Sequence, residues 1–169
     1  MIAWGFMFTG GILIASDKGA AGLRRDESGQ AVRDSLSSLD IEWRRYEVVP
    51  DDRQTISARL AQWADECLDF IFTAGGTGLS PRDVTPEATL DVLDRTVPGF
   101  AEAMRWESLK KTPHAMLSRA VVGTRKGSLI VNLPGSPKAV AECLATIAPA
   151  LPHAIETLRG DASECATRE

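Results

Sequence analysis

Cysteine, histidine and aromatic side chains are all scarce here: three cysteines, two histidines and 6% Phe, Trp and Tyr in 169 residues. Cys67, Cys143 and Cys165 are odd in number and show no CxxC spacing, which argues against a disulfide framework and a structural zinc site. A reducing cytoplasm is the expected setting. Basic residues never cluster beyond pairs such as Arg24-Arg25 and Lys110-Lys111, and 19 Lys plus Arg against 23 Asp plus Glu give a net charge of -4. Nucleic acid is therefore not an expected partner. A membrane is not expected either. The uncharged stretch Met1 to Ser16 is broken by glycines, has no positive leading region, and falls short of the ~20 apolar residues that span a bilayer. Within it, Trp4, Phe6, Met7 and Phe8 precede the first clear strand. They are expected to pack over the sheet or across a subunit boundary, a frayed terminus being the alternative. What the chain does have is a hydrophobic fraction of 44%, enough for one core. A single domain over 1–169 is expected, with its core at about 9–160.

Apolar runs of β type alternate with helical periodicity. Gly11 to Ala15 reads as a strand ending in the polar turn Ser16 to Gly19, and Ser28 to Leu39 as a helix through Val32, Leu36 and Leu39. Glu47 to Val49 is a short strand stopped by Pro50. Asp51 or Asp52 can then cap a helix that places Ile56, Leu60, Trp63 and Cys67 on one apolar face, with Cys67 a core residue. Leu68 to Thr73 has the unbroken apolar pattern of a strand covered on both faces. Thr85 and Pro86 open a helix whose spacing continues through Leu90, Leu93 and Val97 until Pro98-Gly99 stops it. Phe100 to Leu109 supplies another helix. Ala120 to Thr124 and Ser128 to Leu133 flank a hairpin turn, and Ser136-Pro137 opens a helix through Val140, Cys143, Leu144 and Ile147. Trp43, Trp63 and Trp106 read as core or interface residues. The expected fold is a three-layer α/β/α sandwich on a mostly parallel sheet, its site beyond the carboxyl ends of the parallel strands.

Two glycine-bearing segments hold the candidate chemistry. Gly75-Gly76-Thr77-Gly78 follows a strand, so its N–H groups can converge on phosphate oxygens, with the Thr77 and Ser80 hydroxyls beside them. The pattern matches neither GxGxxG nor the P-loop, and a tight strand-to-helix turn that binds nothing reads the same way. In the second segment, Asn132 to Lys138, a strand ends at Pro134-Gly135 and a helix begins with Lys138 in its first turn. An anion shared with the helix N–H groups would suit that lysine; a solvated lysine beside an ordinary cap is the alternative.

These segments together resemble the MogA/MoaB family of molybdenum cofactor biosynthesis. The resemblance rests on TAGGTGLSPRDVTPEAT at 73–89 and NLPGSPKAV at 132–140, supported by SDKG at 16–19, VPDD at 49–52 and TPHAMLSRAVVG at 112–123. Ala74 stands where many relatives carry threonine.

The resemblance implies a molybdopterin adenylyltransferase that moves AMP from magnesium-bound ATP to the terminal phosphate of molybdopterin and releases pyrophosphate. It implies catalytic and Mg2+-binding roles for Asp51 and Asp83. It places Gly75, Gly76, Thr77, Gly78 and Ser80 on one wall of the pocket and Asn132, Pro134, Gly135 and Ser136 on the other, with Ser118, Lys138, Arg82 and Arg119 as further contacts. A phosphate monoester, with its second pKa of about 6, is already anionic and needs little base catalysis, which suits a chain poor in histidine. The family further implies a homotrimer or hexamer and a molybdate-insertase partner. A MoaB-type carrier that holds molybdopterin without adenylylating it is the alternative.

Overall fold

The computed structural model describes residues 8–160; the expectations for Trp4, Phe6 and Met7, and for Cys165, lie outside that range. Six strands form one sheet in the order β2-β1-β3-β6-β5-β4. They are β1 Phe8–Ala15, β2 Ile41–Val49, β3 Phe70–Ala74, β4 Arg95–Thr96, β5 Val122–Arg125 and β6 Ser128–Leu133. β2, β1, β3 and β6 run parallel, while β5 is antiparallel to β6 and to β4. This is the expected mostly parallel sheet.

The alternation of side chains along the central strands builds two cores. Ile12, Ile14, Phe70, Phe72, Leu129 and Val131 face one way, against Val32 and Leu36, Met104, Val140 and Leu144, and Ile155. These belong to or adjoin helices α2 (Ser28–Ser35), α5 (Pro98–Leu109), α6 (Pro137–Ile147) and α7 (Leu151–Arg159). Leu13, Ala15, Ile71 and Ile130 face the other way, against Ile56, Leu60, Trp63 and Ala88 of α3 (Arg53–Asp65) and α4 (Thr85–Leu90). A short helix, α1 (Asp17–Ala20), follows β1 with Ser16 as its cap. Phe8 is part of β1, buried and tilted against Phe70 with ring centroids 5.3 Å apart.

Several expectations are corrected. β2 begins at Ile41, not Glu47. It is a sheet edge with Glu42, Arg44 and Arg45 exposed, so its charged residues disguise a strand that pairs with β1 along its length. The helix at Thr85 stops at Leu90, because Asp94 N–H, Val97 N–H and β4 between them bond to β5. Pro98 consequently begins α5 instead of ending a helix. Cys67 is exposed, not in the core: α3 ends at Asp65 and Cys67 sits in the following turn at φ 60. Trp63 is buried, whereas Trp106 is 68% exposed.

Candidate functional site

The loops that leave the carboxyl ends of β1, β2, β3 and β6 converge, as a parallel sheet directs. They bound two cavities. The first, of about 340 Å³, is lined by Ser16, Arg24 to Ser28, Asp51, Gly75, Gly76, Asp83, Gly135 and Ser136 among others. The second, of about 270 Å³, is lined by Thr77, Gly78, Met104, His114, Leu117, Ser118, Pro134 and Cys143 among others. No residue lines both, and the ridge between them is built by the two glycine-bearing segments.

Asp51 heads the loop after β2. Its Oδ2 accepts the Asp17 N–H and its own N–H donates to Asp17 Oδ1, both at 3.0 Å. The neighbouring Asp52, not Asp51, caps α3 by accepting the Thr55 N–H at 2.8 Å. Asp51 is thus released from the capping role, and its Oδ1 is buried without a partner among the described residues. Burial, then the like charges of Asp17 and Asp83, push the Asp51 carboxyl above the ordinary aspartate range, against the pull of the Asp17 N–H and Arg82. Asp17 behaves oppositely. Arg82 grips it in a two-pronged pair at 2.9 and 2.8 Å, which with the Asp51 N–H holds its carboxyl below the usual value. The adjacent pairing of Arg82 with Asp83 does not occur.

Asp83 Oδ2 accepts the Ser80 N–H at 3.0 Å, folding the loop so that Asp83 lines the first cavity. Gly75 and Gly76 have φ of 97° and 65°. A Cβ on Gly76 would meet Thr85 Oγ1 and lie 3.1 Å from Asp51 Oδ1, so both conformation and space demand glycine there. Thr85 is the first residue of α4, not its cap, and its hydroxyl is buried without a partner among the described residues.

Arg119 ties this loop down. Its guanidinium donates to the Gly78 carbonyl at 2.7 Å, to the Asp83 carbonyl at 2.7 Å and to Glu87, while its N–H donates to the Thr77 carbonyl at 2.9 Å. Ser118, beside it, lines the second cavity. On the opposite wall, Ser136 caps α6 through the Ala139 N–H, and Ser28 Oγ donates to the Gly135 carbonyl at 2.7 Å.

The candidate residues therefore divide. Asp51, Asp83, Gly75, Gly76, Gly135 and Ser136 meet at the first cavity; Thr77, Gly78, Ser118 and Pro134 meet at the second. Asn132 borders the second cavity, yet its side chain is fully buried. Its amide Nδ2 donates to Thr73 Oγ1 at 3.0 Å and Thr89 Oγ1 at 2.9 Å, and its Oδ1 accepts the Val121 N–H. That amide supports the wall and does not face a ligand. Ser80 and Lys138 are exposed and line neither cavity. Sequence reasoning missed Asp17 as the partner of Asp51, although SDKG marked the segment.

Two carboxylates on loops suit a hard oxygen-loving cation. Among the described residues no group of three or more His, Cys, Asp or Glu could hold a metal ion. A magnesium ion here would need oxygens from a substrate and water to complete its shell, the usual habit of that ion with phosphates.

Residues 11–153 match the family described as a probable molybdopterin binding domain, and the chain belongs to that family. A Helicobacter pylori (strain J99) protein named molybdopterin adenylyltransferase is 44% identical over 155 residues, covering 89% of this chain and 88% of that protein. The crystal structure of the molybdopterin biosynthesis enzyme MoaB from Thermus thermophilus superposes with a TM-score of 0.87 at 53% identity, over 91% of this chain and 98% of that one. The tungsten cofactor synthesizing protein MoaB from Pyrococcus furiosus superposes with a TM-score of 0.83 at 33% identity, over 90% and 98%.

Proposed function

We propose that the chain is a molybdopterin adenylyltransferase, transferring AMP from ATP to the terminal phosphate of molybdopterin. The observation that carries the reading is the Asp51 Oδ1, buried without a partner among the described residues, beside Asp83 at a charged cavity separated from a more apolar one by the glycine ridge. ATP fits the first cavity and the pterin the second, where Met104, Leu117 and Pro134 offer apolar surface and Thr77 and Ser118 offer hydroxyls. The carboxylates of Asp51 and Asp83 would hold Mg2+, which when bound supplies charge neutralisation of the phosphates. The chain's own part is positioning: the ridge keeps donor and acceptor apart until their reacting atoms meet, and its N–H groups face phosphate oxygens. No histidine is required for that work.

Incubation with ATP, magnesium and molybdopterin should give adenylylated product and pyrophosphate, and chelation of the metal should abolish both. Tight molybdopterin binding without product would replace this reading with the MoaB-type carrier.

The reading extends to a cytoplasmic protein; among the described residues no helix is long and apolar enough to cross a membrane. It extends also to a trimer or hexamer able to meet a molybdate-inserting partner. Trp106 and Leu109 on α5, with Met116 and Leu117 in the turn after it, are exposed apolar side chains suited to such an interface. Light scattering that finds a monomer at micromolar concentration would reject the oligomer.

A further inference from the structure

The first cavity is acidic at its centre, so the positive charge that meets a triphosphate there has to come from identifiable side chains. Arg82 is committed to Asp17 in its two-pronged pair and is not among the lining residues, and Lys138 does not line the cavity. The cationic residues that line it are Arg24 and Arg25. Both are exposed, and neither makes a side-chain hydrogen bond or ion pair with another described residue.

Their loop is held at both ends. Gly22, at φ 71°, turns the chain out of α1. At the other end Asp26 accepts the Ser28 and Gly29 N–H groups, at 3.0 Å each, and the Tyr46 hydroxyl. Burial first, and that hydrogen bond second, push the Tyr46 phenol up to about 12, so it stays protonated and remains a donor. The arginines are thus presented at the cavity by a fastened segment, without being consumed by a neighbour.

Resting on the adenylyltransferase reading, we propose that Arg24 and Arg25 bind the β- and γ-phosphates of ATP and hold the pyrophosphate as it departs. In the transfer, an oxygen of the molybdopterin phosphate forms a bond to the α-phosphorus. The bond from that phosphorus to the bridging β-phosphate oxygen breaks, and the bridging oxygen leaves with the electron pair. Attack and departure are roughly in line, so the leaving group exits away from the acceptor. With the pterin in the second cavity, Arg24 and Arg25 stand on the side of departure, since they line the first and not the second. Guanidinium groups suit the task because their planar donors match phosphate oxygens in pairs and keep their charge at any working pH.

The test is calorimetric titration of the full chain with ATP, pyrophosphate and AMP in magnesium, comparing wild type with R24Q/R25Q. A second variant, R44Q/R95Q, removes the same charge from exposed positions on the edge strands β2 and β4. The expected result is that R24Q/R25Q weakens ATP and pyrophosphate on the order of 10- to 100-fold, leaves AMP within about twofold, and keeps the wild-type melting temperature, while R44Q/R95Q changes nothing. Unchanged ATP and pyrophosphate affinity in R24Q/R25Q, or an equal loss in R44Q/R95Q, overturns the proposal. An active wild type with a normal R24Q/R25Q removes only this inference. A wild type that forms no adenylylated product removes the parent reading, and pyrophosphate affinity lost in R24Q/R25Q would still support the arginine pair.

Discussion

Asp17 and Asp51 each accept the other's main-chain N–H, at 3.0 Å in both directions. The exchange locks the loop after β1 to the loop after β2, but the two carboxylates emerge from it unequal. Asp17 gives both oxygens to Arg82, whereas Asp51 keeps Oδ1 without a partner among the described residues. In the proposed reading Asp17 is a positioning residue and Asp51 the group left for the ligand.

The inequality predicts a trade between stability and activity at Asp51. Its folded-state pKa is raised, so the native state takes up a proton more readily than the unfolded chain, and the ionised carboxylate weakens the fold at neutral pH. Asp51→Asn should melt above wild type at pH 7, and this advantage should shrink as pH falls through the raised pKa, where wild-type Asp51 becomes neutral too. Asp17, with its lowered pKa, has the opposite sign: its contribution persists above the ordinary aspartate pKa and fades below it. Melting curves of both proteins across that range check the claim, and an Asn variant that is less stable at pH 7 refutes it.

Asp83→Asn should leave the melting temperature nearly unchanged, since an amide oxygen can still accept the Ser80 N–H, yet reduce adenylylation on the order of 10²-fold or more. The measurement is product formation against magnesium concentration. Near-normal turnover by both this variant and Asp51→Asn would reject their assigned role.

Arg119→Lys tests the tie between the glycine loop and α4. One ammonium cannot replace donors that reach Gly78, Asp83 and Glu87 together. The expected result is a kcat lowered by about tenfold or more with a folded protein and a smaller change in ATP affinity, because the wall moves while the first cavity keeps its charges. Equal losses in kcat and in affinity for both substrates would indicate general unfolding of the loop instead.

Asn132→Ala should act on stability. It strands the Thr73 hydroxyl and the Val121 N–H, takes one of two partners from the Thr89 hydroxyl, which keeps its bond to the Thr85 carbonyl, and opens a void, at a cost of about 2–4 kcal/mol. That corresponds to a melting temperature lower by roughly 5 to 15 °C. An unchanged melting temperature, with weakened pterin binding, would return Asn132 to the ligand.

What could be read in the sequence follows from how local each signal is. β3 and β6 announce themselves because strands covered on both faces are apolar throughout, and Ser136-Pro137 marks α6 because capping is a matter of adjacent residues. β2 and β4 are only partly legible or hidden, since an edge strand has charged residues and takes its shape from a neighbour distant in sequence. Cys67 fits a helical face by spacing, but the chain leaves α3 before reaching it. The glycine segments and the two aspartates could be picked out as candidates. Their division between two cavities could not, nor could the tie between Asp17 and Asp51, which lie 34 positions apart. Asn132 illustrates the limit best: its motif places it at the wall, and only the geometry shows its amide turned inward.

The ridge between the cavities has one further property. Its two segments leave β3 and β6, which are hydrogen-bonded neighbours, and neighbouring strands stand about 4.8 Å apart. The spacing at the base of the ridge is thus a gauge cut by main-chain pairing, while its crest depends on the Arg119 tie. In the proposed reading, with ATP on one side of the ridge and the pterin on the other, the starting distance between donor and acceptor is inherited from the sheet, and the rims, the Arg24-Arg25 loop on one side and the α5 flank on the other, are where preference for a ligand would vary.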